Sequence, residues 1–222
     1  MSERQSLLPT PLHVILKDKY DDPAVYENYV DKRGHRSNLA KSLVELIKRE
    51  KPSIPGDTPL RALDIAAGTG IISQELQNAG YSVTAIDHDE KMLDFLRKKS
   101  PFIEAKQADM NQELPFEDNS YDVITSVFGN RYIKDTDAFL KEIHRVLKPG
   151  GVFVWPIFPN ERPFWKMRNG IRQHTRSNFL VKDAQEAGFD EVEVVKMSLQ
   201  EAREKNISLR SVPRYIIAKK AG

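Results

Sequence analysis

Residues 63–70 read Leu-Asp-Ile-Ala-Ala-Gly-Thr-Gly, and residues 71–80 continue Ile-Ile-Ser-Gln-Glu-Leu-Gln-Asn-Ala-Gly. The run from Leu60 to Ala66 reads as a buried strand, and Gly68 and Gly70 lead out of it. Ile71, Ile72, Leu76 and Ala79 then recur at helical spacing until Gly80 closes the helix. One strand, one glycine turn and one helix set the pattern for the rest of the chain.

Working downstream, Ser82 to Asp87 is a second strand, and Asp89 caps a helix carrying Met92, Leu93 and Leu96. Phe102 to Lys106 makes a short third strand and Tyr121 to Val127 a fourth. Phe139, Ile143, Val146 and Leu147 mark a helix that stops in Lys148-Pro149-Gly150-Gly151. Gly151 to Trp155 is a fifth strand, followed by a basic, aromatic stretch to Arg176 and a helix to Gly188. Strands at Glu191 to Met197 and Tyr215 to Lys219 complete seven, and the short connection between them allows antiparallel pairing. Upstream, Asp22 caps a short helix with Val25, Tyr26 and Tyr29. Leu39, Leu43, Leu46 and Ile47 repeat at helical spacing until Pro52, and the first twenty residues show no period. Strands alternating with helices imply a parallel α/β sheet with helices on both faces.

Composition narrows the class. The chain has 222 residues, the length of one sizeable domain, and its 40% hydrophobic and 30% charged content is that of a globular protein. Lys+Arg 34 against Asp+Glu 32 leaves a net charge of +2, too small a basic excess for a dedicated nucleic-acid binder. The absence of cysteine excludes disulfides, thiolate metal sites and a cysteine nucleophile. Residues 1–11 lack the apolar core of a signal peptide, and no run of 18 apolar residues occurs, so the expectation is a cytoplasmic protein with no membrane span.

In an open parallel sheet the ligand crevice lies beyond the carboxyl ends of the strands. The small residues of the turn allow close backbone approach there, although a Gly-x-Gly pair alone also suits a structural turn. Asp87 ends the second strand seventeen residues beyond Gly70, near the spacing at which an acid accepts both hydroxyls of a ribose. Its competing reading is a solvated strand end or a helix cap, but Asp89 already suits the cap. Ser73 stands where a dinucleotide fingerprint has its third glycine, which disfavours NAD, and no Gly-x-x-x-x-Gly-Lys-Ser/Thr run is present.

The segments LDIAAGTG, AIDHDEKML, QADMNQELPFEDNSYDVITS and FLKEIHRVLKPGGVFV, in that order, resemble the class I S-adenosylmethionine-dependent methyltransferases, specifically the small-molecule "type 11" domain group. The resemblance spans roughly residues 20–160. It implies a Rossmann-like open sheet of seven mostly parallel strands, the last strand antiparallel. The chain is then a single domain, with 1–50 as N-terminal strap and lid helices, 58–222 as the core and 156–178 as an acceptor-side insertion.

The same resemblance implies S-adenosylmethionine as cofactor and assigns roles residue by residue. The turn of Ala66, Gly68, Thr69 and Gly70 lines the methionine part, Asp87 holds the ribose, and His88 and Met92 flank the adenine. Asp109, with the Met110 amide, receives the adenine amino group. Ser126 and Val127 face the sulfonium and its methyl group, and Tyr20 and Arg36 reach over from the lid. The sequence departs from the family at Ala66 and Ala67, where glycine and often cysteine stand. It departs again at Phe128-Gly129-Asn130-Arg131-Tyr132, where an apolar stretch ending in histidine is usual.

Methyl transfer needs alignment and exclusion of water more than a nucleophile, and a base only where the acceptor must first lose a proton. Of five histidines, His35 and His174 remain as candidate bases, although each reads more readily as an ordinary surface histidine, and Arg131 and Tyr132 of the divergent stretch are further weak candidates. No pair has the spacing of a metal site. Phe158, Phe164 and Trp165 lie among Arg162, Lys166, Arg168, Arg172 and Arg176, which suits a planar or anionic small-molecule acceptor or a solvated loop. Nucleic acid is disfavoured, because Ser126-Val127-Phe128-Gly129 replaces the Asn/Asp-Pro-Pro-aromatic motif of related base methylases. Two readings compete with the enzyme: a non-catalytic cofactor-binding partner protein, and a nicotinamide enzyme.

Overall fold

The computed structural model describes residues 22–31, 34–52, 58–158, 166–168, 171–173, 177–207 and 212–222. Its order is α1 (Pro23–Val30), α2 (His35–Glu50), β1 (Arg61–Ile65), α3 (Ile71–Asn78), β2 (Ser82–Asp87), α4 (Glu90–Lys99), β3 (Glu104–Gln107), β4 (Tyr121–Ser126), α5 (Thr136–Val146), β5 (Leu147–Ile157), β6 (Lys166–Arg168), β7 (Ile171–Gln173), α6 (Ser177–Glu186), β8 (Glu191–Lys196), α7 (Leu199–Glu204) and β9 (Arg214–Lys219). Seven strands form one sheet in the order β3-β2-β1-β4-β5-β9-β8. The pairs from β3 to β5 are parallel, while β9 runs antiparallel to both β5 and β8. The last strand is antiparallel, as the sequence implied, and it lies between two others rather than at the edge.

The two-residue period of the strands sorts side chains into two layers. Ala62, Val83, Ala85, Val123, Val152 and Val154 face α2 and α3, burying Leu39, Leu43, Ile47, Ile72 and Leu76. The alternate residues Leu63, Ile65, Ile86, Ile124 and Phe153 pack against Phe139, Leu140 and Ile143 of α5 and Leu180 and Ala184 of α6. Each fully buried Leu, Ile or Phe contributes about 1.5–3 kcal/mol relative to exposure, which is what commits both faces of the sheet to being covered.

Several boundaries differ from the sequence reading. The fifth strand begins at Leu147, because Leu147 pairs with Tyr121 before the register slips and resumes at Val152 opposite Val123. The third begins at Glu104, leaving Phe102 exposed. A short antiparallel hairpin, β6 with β7, lies within the basic stretch, and α7, capped by Ser198, was not expected. The strap 1–19, Tyr20 and His174 lie outside the described residues.

This topology places the site. Ile65 is registered with Ile86 on one side and Ser126 on the other. The turns that follow β1, β2 and β4 therefore open at one end of the sheet, where the strand order reverses between β1 and β4.

Candidate active site

The turn after β1 alternates left-handed residues with residues of negative φ. Ala66, Gly68 and Gly70 have φ of 58°, 55° and 80°. A side chain at Gly68 would meet nothing nearer than a Tyr26 ring carbon at 4.0 Å, so its surface stays open. Gly70 differs: a Cβ there would come within 2.2 Å of buried Leu96, and Gly70 does not line the cavity. Glycine there serves the turn and the start of α3, next to the lining residues Thr69 and Ile71. The Ala66 methyl group lies against Gly129, where an added Cβ would sit 2.9 Å from it and 2.6 Å from Ser126 Oγ.

Asp87 ends β2 with 7% of its surface exposed. Gly68 N donates to its Oδ2 at 2.8 Å, and Asp89 N donates to its Oδ1 at 3.0 Å, with His88 Nδ1 3.1 Å from the same oxygen. Two backbone amides thus aim the carboxylate, and each oxygen keeps lone pairs for a ligand. Beneath it lies Asp64, 1% exposed, which accepts a 2.5 Å bond from Ser73 Oγ. Burial pushes the Asp64 carboxyl up to about 7; the Ser73 bond opposes this, and the charge of Asp87 adds to it. Ser73, where a dinucleotide site has glycine, is instead the partner of this acid.

After β3, Asp109 Oδ1 accepts from Asn111 N at 2.9 Å and Asn111 Nδ2 at 2.8 Å. These bonds, from the Asn111 backbone first and its side chain second, hold the Asp109 carboxyl below the usual carboxylate range. The Tyr132 ring stands 6.2 Å from that of His88.

Helix α1, capped by Asp22, covers this end of the sheet. Glu27 pairs with Lys99 of α4 at 2.6 Å, and Arg36 Nη1 donates to Tyr26 Oη at 3.4 Å. The Arg36 guanidinium lies 4.0 Å from the centre of the Phe128 ring, and Phe128 stacks on Phe158 at 4.3 Å. Phe128 holds this position at φ 61°, a strained conformation for an aromatic residue.

These elements enclose a cavity of about 520 Å³, a size that suits a small organic ligand. Of the residues expected at the site, Arg36, Ala66, Gly68, Thr69, Asp87, His88, Met92, Asp109, Met110, Val127 and Tyr132 line it. Ser126 lies fully buried beside it, and its Oγ has no hydrogen-bond partner among the described residues. His35 lies elsewhere, its Nδ1 donating to the Asn206 carbonyl at 2.8 Å. Arg131 falls in a single 3-10 turn, Asn130–Tyr132, and its side chain is outside the described set. Asp64, Asn111 and Lys134 also line the cavity without having been expected there, together with Tyr26 of the lid and Phe128 of the divergent stretch. A carboxylate inside an apolar strand was the available signal for Asp64; the others carry no pattern that sequence spacing marks.

The chemistry on offer is specific: one aimed carboxylate for a diol, a second for an amino-bearing ring, a small-residue turn for a tail, and a guanidinium on an aromatic wall. Among the described residues no group of three or more metal-ligating side chains occurs, and no helix is long and apolar enough to cross a membrane.

A family model described as a methyltransferase domain matches residues 63–155. The demethylmenaquinone methyltransferase of Chlorobaculum tepidum is 30% identical over 169 residues, 73% of this chain and 68% of that protein. The enzyme of the same name from Staphylococcus aureus is 42% identical over 101 residues, 43% of this chain and 42% of that one. Among solved structures, a putative S-adenosylmethionine-dependent methyltransferase from Methanococcus maripaludis superposes with a TM-score of 0.64 at 21% identity, covering 100% of this chain and 98% of that one. The CurJ carbon methyltransferase gives 0.70 at 16% identity, covering 91% and 59%. At these identities the structures share the fold.

Proposed function

Because the chain belongs to the class I S-adenosylmethionine-dependent methyltransferases, we propose that this cavity holds the cofactor along the turn after β1 and presents its methyl group to a planar, ionisable ring acceptor. When bound, the cofactor supplies a methyl group already activated by its sulfonium, so the chain's own task is to bind, orient and exclude water. Asp87 accepts from the ribose hydroxyls, its orientation set in advance by the Gly68 and Asp89 amides. Asp109 accepts from the adenine amino group with the Met110 amide beside it, and His88 and Met92 flank the base. Gly68 and Thr69 leave room for the amino-acid tail, Asp64 lies below its ammonium, and Arg36 serves its carboxylate. Ser126 and Val127 stand at the reacting end.

The acceptor side of this reading is formed by Phe128, Tyr132 and Lys134. The relatives named above act, by their names, on demethylmenaquinone, a quinone-type ring. A ring of that kind in its reduced, ionised form is a nucleophile through carbon or oxygen, and cations on an aromatic wall suit its charge. Tyr132 and Lys134 are the titratable groups nearest that task; His35, tied to Asn206, is not.

The observation that carries the proposal is the Asp87 carboxylate, aimed by two amides at the edge of a small-residue turn. Calorimetric titration with S-adenosylhomocysteine tests it: Asp87→Ala should weaken binding about 10- to 150-fold, since each charge-assisted bond is worth roughly 1.5–3 kcal/mol. Unchanged affinity would end the assignment. Incubation with deuterated-methyl cofactor and a panel of hydroquinones, amines and carboxylic acids tests the acceptor, and label confined to an amine or an acid would overturn the ring.

A further inference from the structure

Asn111 joins two parts of the cavity that the chain builds separately. Its Nδ2 donates to Asp109 Oδ1 at 2.8 Å and to the Tyr132 carbonyl at 3.1 Å. Its Oδ1 accepts from Lys134 N at 2.7 Å. Both donors and the acceptor of this one amide are therefore used, which settles its orientation and spans from the loop after β3 to the segment after β4. Its backbone N–H adds a second bond to the same Asp109 oxygen at 2.9 Å. Asp109 Oδ2 is left with its lone pairs, and Tyr132 and Lys134 stand at the cavity wall.

We propose that Asn111 is a positioning residue that makes Asp109 discriminating for an amino-bearing base and, in the same step, ties the acceptor-side wall of Tyr132 and Lys134 to that recognition. This rests on the reading that Asp109 receives the adenine amino group. The physical argument is one of charge and geometry. A carboxylate with one oxygen held by two N–H donors stays ionised and fixed in its plane, so its other oxygen accepts from an amino group and repels a carbonyl. Without the side-chain amide one of the two bonds is lost and the carboxylate turns more freely, so a carbonyl-bearing base becomes less disfavoured. The Tyr132 and Lys134 segment loses at the same time two bonds to the loop after β3, both of which end on this one side chain.

The test measures affinities of the full chain for S-adenosylhomocysteine and for S-inosylhomocysteine, which carries a carbonyl in place of the amino group. Wild type should prefer the adenosyl ligand by about a hundredfold, and Asn111→Ala should cut that preference about tenfold. Asn111→Asp keeps an acceptor for Lys134 N but loses the donor, and should cut it at least as much. Preference unchanged in both variants, or both affinities falling by one common factor, would overturn the proposal, since a merely structural role would not separate the two ligands. Asp109→Asn distinguishes the parent reading: if it leaves the preference intact, the adenine assignment itself fails. Hydrogen exchange supplies the second readout. S-adenosylhomocysteine should slow exchange across residues 130–134 in wild type and not in Asn111→Ala; no slowing in wild type would refute the link to the acceptor wall.

Discussion

The two halves of the cavity are made of different material. On the nucleoside side, Asp87 and Asp109 are oriented by backbone amides of Gly68, Asp89 and Asn111, at the ends of strands whose register is set by the sheet. On the other side, Phe128 stacks on Phe158 beneath the Arg36 guanidinium and Tyr132 stands on the 3-10 turn that follows, all carried on a helix and loops, with Phe128 strained and Tyr132 exposed. The first arrangement follows from chain path and tolerates few substitutions. The second depends on which side chains occupy the loops, so it can be exchanged without disturbing the sheet.

The strongest challenge to this contrast is at Gly70. Gly70→Val places a branched side chain at φ 80° against buried Leu96, and should cost roughly 2–4 kcal/mol in urea unfolding. A loss below 1 kcal/mol would mean the turn is far more pliable than described. Next is Asp64, where the sign can be worked out. Its carboxyl is raised in the folded state to about 7 from 3.8, so its contribution is fully present below pH 3.8 and is lost as pH rises towards 7. Asp64→Asn should therefore gain on wild type between pH 5.5 and 7 by up to about 2 kcal/mol, as each pH unit is worth at most ~1.4 kcal/mol. A stability difference between the two that does not vary with pH would remove the buried acid from the account.

On the other side, Phe128→Leu should raise the acceptor KM about tenfold, equivalent to ~1.4 kcal/mol, while moving the S-adenosylhomocysteine Kd less than about threefold. Equal effects on both constants would erase the division between halves. The smallest effect is expected at the lid. Glu27→Gln breaks a partly exposed ion pair with Lys99, and should cost under about 1 kcal/mol of global stability while speeding hydrogen exchange in α1. Slower or unchanged exchange there would show that the pair does not hold the helix.

Legibility followed the same division. Gly68 and Asp87 were readable because strand ends, glycine turns and acids recur at intervals dictated by the sheet, and Asp109 because its segment resembles the family's. Gly70 illustrates the limit: its place in the pattern was readable, but its reason, the approach of Leu96 from α4, was not. Ser73 was read for the glycine it replaces, whereas its hydroxyl binds Asp64. Asn111 and Phe128 showed no period at all, since apart from Asp109 beside Asn111 their partners Tyr132, Lys134, Arg36 and Phe158 stand between 21 and 92 residues away. The candidate base His35 is accounted for by a bond to Asn206, far along the chain.

Local periodicity was enough to specify a parallel α/β sheet, the order of its main elements and an acid at the end of the second strand, because those features depend on residues close in sequence. Which side chains converge on the cavity, that β9 inserts between β5 and β8, and that Asp64 is held as a buried acid by Ser73 emerged only on folding. Those outcomes are set by burial and by contacts across the sheet, and neither quantity exists until distant segments are packed together.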